Sequence, residues 1–187
     1  MPDAPIHVDF LDLDSHGLPG RLGLTVAPGR WRAGLDSASD TLVRDDLLQL
    51  RDVHGAKVLV TLLEDFEMTK LGISQLLPTA KRLRLQSIWF PIPDMTAPSD
   101  VAATVALVEA IVGHMAKGET VVVHCRGGLG RSGTVAACVL VARGRSPHEA
   151  IRLVRSARPG AVEMADQEAF VARNVRPLRT FSPGGDR

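Results

Sequence analysis

The chain has 187 residues, 45% of them hydrophobic and 23% charged, long enough for one domain that buries about 70% of its unfolded surface. Its 22 Lys and Arg against 21 Asp and Glu leave a net charge of +1, which excludes a bulk field for nucleic-acid or membrane-surface association and leaves anion recognition to local groups. Aromatics at 4% argue against base stacking along single-stranded nucleic acid, and two cysteines exclude a disulfide scaffold.

The first 20 residues scatter Pro, Gly and acids without sustained periodicity, predicting an arm or edge extension only loosely attached. Residues 1–14 carry Asp3, Asp9, Asp12 and Asp14 and do not pair a basic start with an apolar stretch, so the expectation is a cytoplasmic protein. Leu22–Val26 reads as a strand ended by Pro28 and Gly29. Ser39 or Asp40 caps a helix to about Val53, and Lys57–Leu63 is an apolar run suited to a buried strand. After the polar stretch Glu64–Lys70, a helix is expected over about Ile73–Leu83, with Pro78 counting against its continuity. A strand at Ser87–Phe90 then runs into a loop holding Pro91, Pro93 and Pro98, too proline-rich for a sheet interior.

Ser99 is the expected cap of a long helix to Lys117, with Gly118 as its stop. That apolar stretch contains Glu109 and His114 and is too short to span a bilayer. Thr120–Val123 is β-branched enough for a strand buried on both faces. Helices follow at Ser132–Arg143, from Ser146-Pro147 onward, and at Asp166–Val175, and residues 182–187 read as a frayed tail. Alternating strands and helices predict a single α/β domain with a mostly parallel central sheet flanked by helices.

The informative segment runs from Val121 through His124-Cys125-Arg126-Gly127-Gly128-Leu129-Gly130-Arg131-Ser132-Gly133. In an Arg-rich chain a Cys and an Arg six positions apart often arise by chance, so the setting carries the reading. The Cys ends a buried strand, three glycines fill the loop, and a helix opens at once. Gly127, Gly128 and Gly130 can adopt positive φ and leave their N–H groups unobstructed, so residues 126–130, including Arg126 and Leu129, form a cradle at a helix N-terminus for a tetrahedral dianion. Arg131 offers a planar fork to two phosphate oxygens. An ordinary thiol is only about 3% thiolate at neutral pH. A helix dipole supplies at most ~2 kcal/mol, so a nucleophilic Cys125 also needs N–H···S bonds, Arg131 and a donor such as Ser132.

His124 fits a structural role at the strand-to-loop corner better than contact with the sulfur. Phosphoryl transfer to sulfur needs a proton for the leaving oxygen, and Asp94, in the proline-rich loop, is the favoured donor. Asp100 is the rival, with a helix-dipole role after Ser99 as its plainer explanation. Cys138 lies among apolar helix positions and reads as a small buried hydrophobe. Arg143, Arg145, Arg152, Arg155 and Arg158 either steer phosphorylated ligands or form a solvated helical face.

HCRGGLGRSG resembles the signature loop of the cysteine-dependent dual-specificity and tyrosine phosphatase superfamily. With LGLTVAPGR, VTLLEDFEM, FPIPDMTAPSD and SPHEAIRLVRSARPGAVEMADQEAFV, residues 21–172 are similar to its kinase-associated phosphatases. The resemblance implies a phosphatase domain over residues 21–181 with the dual-specificity fold. It also implies Cys125 as nucleophile, Arg131 as phosphate ligand, Ser132 assisting thiolate departure, Asp94 as general acid and Gln167 positioning water. Gln167 reads equally well as an exposed polar residue of a helix first turn. Pro93 stands where tyrosine-specific members carry Trp-Pro-Asp, and the chain has no Tyr for their phosphotyrosine-recognition loop. The expected activity is hydrolysis of phosphate monoesters on phosphoproteins, without metal or other cofactor and without nucleic-acid or membrane partners. A phosphoinositide or small-molecule phosphatase and a catalytically silent phosphoprotein-binding module are the alternatives. A sulfurtransferase leaves Asp94 and Ser132 without roles.

Overall fold

The computed structural model describes residues 5–12, 18–29 and 40–179, with Val175 described by its backbone alone. The elements are strands β1 (Asp9–Phe10) and β2 (Leu22–Thr25), helix α1 (Asp40–Asp52), strand β3 (Ala56–Thr61), helices α2 (Asp65–Lys70) and α3 (Leu76–Arg82), and strand β4 (Gln86–Trp89). Helix α4 (Val101–Ala116) and strand β5 (Thr120–His124) come next, followed by helices α5 (Gly130–Ala142), α6 (Pro147–Ala157), α7 (Ala165–Arg173) and α8 (Val175–Arg179). The strands form one sheet in the order β1-β2-β5-β3-β4. Only β1 is antiparallel to its neighbour, which makes this the single α/β domain with a mostly parallel sheet that the alternation of elements predicts.

Side-chain alternation along the strands splits the interior into two cores. Val58, Val60, Val121 and Val123 face the core shared with α4, α5 and α6, while Leu59 and Val122 face the one built with α1 and α3. With both faces covered, β5 reads as an unbroken apolar run, as buried parallel strands do. Thr25 and Thr61 both lie in register with His124. The loops that leave β2, β3 and β5 therefore emerge together at one sheet edge, the usual ligand-binding end of such folds.

Four elements depart from expectation. The N-terminal segment takes the form of an edge extension that is firmly attached over its described part: Ile6, Val8 and Leu11 are buried, and Asp9 and Phe10 pair with β2. Glu64–Lys70 contains α2, whose start lacks a Ser, Thr, Asp or Asn cap but is closed by Glu67, which accepts a hydrogen bond from the Glu64 N–H at 3.0 Å. Pro78 does not interrupt α3, because it occupies the third position of a helix beginning at Leu76, where its missing N–H has no intrahelical partner to lose. The cap of α4 is Asp100 and not Ser99: its carboxylate accepts from the Ala103 N–H at 2.9 Å. Ser39 and residues 182–187, a possible cap and the expected tail, lie outside the described residues.

Candidate active site

Strand β5 delivers Cys125 to the sheet edge with 3% of its surface exposed. The following loop turns into α5 with Leu129 at its cap. Of the three glycines, only Gly128 takes a positive φ, +71°, and a Cβ there would lie 2.3 Å from the Thr25 carbonyl oxygen. Gly130 is required for a different reason. A Cβ at that position would meet Glu163 at 2.6 Å and Gln167 at 3.0 Å, so the absent side chain admits the start of α7 to the loop.

Ser132 stands one turn into the site, its Oγ 3.5 Å from the Cys125 Sγ. Arg131 is buried, and its planar group is fully directed: Nη1 and Nη2 donate to the two carboxylate oxygens of Glu67 at 2.7 and 3.0 Å. Nη1 also donates to the Ile92 carbonyl at 2.9 Å, and Nη2 lies 2.8 Å from Asp94 Oδ1. Helix α2, the proline loop and the β5 loop thus converge on one cation. Asp94, 44% exposed, is the solvent-facing member of this group.

Together these groups border a cavity of about 250 Å³ lined by Asp94, Cys125, Arg126, Arg131, Glu163 and Gln167. It is large enough for a phosphate and the first atoms of its ester group.

Residues 31–171 match the PTP-SAK family, described as Swiss Army Knife protein, DSP-PTPase phosphatase domain. The chain belongs to this family. Among relatives of this PTP-SAK chain, human cyclin-dependent kinase inhibitor 3 is 28% identical over 171 residues, covering 90% of this chain and 78% of the relative. The solved structure of kinase associated phosphatase with its catalytic-site cysteine replaced by serine is 26% identical and superimposes with a TM-score of 0.85 over 96% of this chain and 99% of that one. Tk-PTP in its active form is 29% identical, with a TM-score of 0.66 over 90% and 96%.

Sequence reasoning missed Met95 and Glu163 on the cavity wall and, at the PTP-SAK site's buried cation, Glu67. Glu67, buried in α2, is the main anchor of Arg131. Only its reach back to Glu64 signals it, and Glu64 is not a usual cap residue. Burial alone would raise the Glu67 carboxyl, but hydrogen bonds from Arg131 and the Glu64 N–H, with the charges of Arg131 and Arg126, hold it below its ordinary value. Its contribution to stability is therefore complete above the ordinary carboxylate pKa and is lost as pH falls through the lower folded value. Glu67→Ala leaves Arg131 buried without its bidentate partner. We expect a loss of about 3 kcal/mol, measured by urea unfolding at neutral pH, and a smaller difference from wild type in acid.

Gln167 is not the exposed polar residue of its alternative reading: it is 1% exposed. Its Nε2 donates to the Thr96 carbonyl at 3.0 Å and its Oε1 accepts from the Met164 N–H at 3.2 Å, fastening the Asp94 loop to α7. His124 has the corner role. Its Nε2 is 2.9 Å from Thr61 Oγ1 and its Nδ1 3.1 Å from the Cys125 carbonyl. Burial pushes its pKa down to about 4, with the Arg131 charge adding to the effect against the Cys125 hydrogen bond. Cys138 is fully buried and burial pushes its thiol up to about 12, the signature of an unreactive packing residue. Asp100, the rival acid, is committed to capping α4.

The basic cluster is largely engaged with the fold. Arg145 pairs with Glu149 at 2.6 Å and Arg155 with Glu168 at 2.5 Å. Arg155 also donates to the Ala161 and Val162 carbonyls. Arg158 binds Asp9 and the Gly127 carbonyl.

Proposed function

We propose that this chain hydrolyses phosphate monoesters on phosphoproteins through a phosphocysteine intermediate. The observation that carries this reading is the meeting of Cys125, Arg131 and the Asp94 loop around one small cavity, with the Ser132 hydroxyl 3.5 Å from the Cys125 sulfur. The phosphate enters over Cys125 as its monoanion and displaces the Asp94 carboxylate from Arg131 Nη2, and the freed carboxylate takes up the proton of the entering phosphate. The Cys125 thiolate attacks phosphorus, and the P–O bond to the substrate breaks as Asp94 gives its proton to the departing oxygen. Water then attacks the phosphocysteine with Asp94 taking its proton. The P–S bond breaks, and Ser132 donates to the departing thiolate. The loop N–H groups and Arg131 hold the anion throughout, so the scheme calls on no metal. Gln167, once Thr96 moves away with the Asp94 loop, has an amide free to orient the water.

Phosphotyrosine and phosphoserine or phosphothreonine are all candidate substrates, and a protein substrate agrees with the names of the relatives, a kinase inhibitor and a kinase associated phosphatase. Glu163 on the cavity wall adds negative charge beside the phosphate position, which disfavours a multiply phosphorylated inositol ring. Two free thiols suit a reducing cytoplasm, and no helix among the described residues is long and apolar enough to cross a membrane. Phosphate release from phosphopeptides and from inositol phosphates at equal concentration tests the substrate class. We expect peptides to be preferred at least tenfold in kcat/KM, a difference of about 1.4 kcal/mol, and equal or reversed rates would overturn it.

A further inference from the structure

Arg158, at the C-terminal end of α6, joins two segments far apart in sequence. Its side chain is 14% exposed and its Nη1 is paired with Asp9 of β1. Its Nη2 donates to the Gly127 carbonyl at 2.8 Å. Asp9 is held in turn: its Oδ1 lies 2.8 Å from His7 Nε2, and Thr25 Oγ1 donates to the His7 carbonyl at 2.6 Å. The peptide between Gly127 and Gly128 joins two residues without side chains and meets the least resistance to rotating. In a trans peptide the C=O and N–H point to opposite sides. Fixing the Gly127 oxygen on Arg158 therefore turns the Gly128 N–H away from Arg158. Gly128 is closely walled on the same side, since a Cβ there would come within 3.0 Å of Arg158 Nη2. Neighbouring Arg126 is tied outward as well, its carbonyl accepting from the Ala27 N–H at 3.2 Å.

We propose that Arg158 is a positioning residue for oxyanion binding, holding the Gly127–Gly128 peptide in its anion-receiving orientation, and that Asp9 makes the N-terminal edge strand part of the site. The inference rests on the phosphatase reading in taking an oxyanion as the ligand of this loop. It assigns to the first strand a task that its position at the sheet margin does not suggest.

Tungstate serves as the probe, with affinity measured calorimetrically on the full chain and melting temperature followed in parallel. Arg158→Ala is expected to weaken tungstate binding about tenfold and Asp9→Asn about threefold, in line with charge-assisted hydrogen bonds lost from a pre-organised site. Arg158→Lys, which keeps the charge but not the fork, is expected to fall between wild type and Arg158→Ala. Because Asp9 acts through Arg158, the double variant should bind no more weakly than Arg158→Ala alone. Wild-type affinity in folded Arg158→Ala, or fully additive losses in the double variant, overturns the proposal. Should Arg158→Ala fail to fold, Asp9→Asn decides, and unchanged affinity there overturns it. Tungstate binding is read without turnover, so a wild type that binds tungstate but hydrolyses no phosphate ester counts against the hydrolase reading alone. A wild type that binds no tungstate overturns both.

Discussion

Cys125→Ser is expected to abolish release of p-nitrophenol from its phosphate ester, a loss on the order of 10⁴-fold or more, as when a single nucleophile is removed from a cooperating site. A serine hydroxyl in the same cradle stays protonated and is a poor nucleophile without a base beside it. The nearest ring, His124, is committed to Thr61 and the Cys125 carbonyl and cannot serve. Arg131, Glu67 and the loop amides remain in place, so the variant should bind tungstate close to wild-type strength. Normal turnover by the serine protein would refute the phosphocysteine scheme outright. Loss of both turnover and tungstate binding would point instead to a disturbed loop.

Asp94→Asn carries the second large effect. Without a transferable proton the leaving oxygen departs as an anion, and general acid catalysis is typically worth 10²–10⁴-fold. We expect a kcat loss of about 10³-fold for a phosphothreonine or phosphoserine peptide, whose alkoxide is a poor leaving group, and a much smaller loss for p-nitrophenyl phosphate. The ion pair between Asp94 and Arg131 adds a second signature. Asparagine competes less strongly for Nη2, so KM should stay level or fall while kcat drops. Stopped assays with both substrates separate the two constants, and equal kcat losses for good and poor leaving groups would remove Asp94 as the acid.

Much of this was legible in the chain because local chemistry and tertiary need coincide. The β-branched run ending at His124, the glycines after Cys125 and the Ser146-Pro147 helix start are each strong local signals, and each appears where expected. The failures share a cause. Glu67, Arg158 and the edge strand act through partners 31 to 149 residues away, and no spacing rule within a window reports such pairs. The loop glycines were legible as a group but not individually, because Gly130 is demanded by the close approach of Glu163 and Gln167 and not by its own φ. Asp100 shows the local version of this problem: two adjacent residues were both competent caps, and only the geometry of α4 selects between them.

Every residue of α5 from Gly130 to Ala142 is buried, although the helix opens directly onto the cavity beside Cys125. Such an element has no solvent face along which to fray, so an excursion that uncovers its backbone costs nearly as much as unfolding the whole domain. The acid side of the cleft is built differently, with Asp94 and Met95 well exposed and Met95 at a φ of 62° that a side chain rarely adopts. If the proposed mechanism holds, motion during turnover is expected to be shared unequally: the buried loop-and-helix side stays fixed as an anvil, and the exposed Asp94 loop is the part that travels.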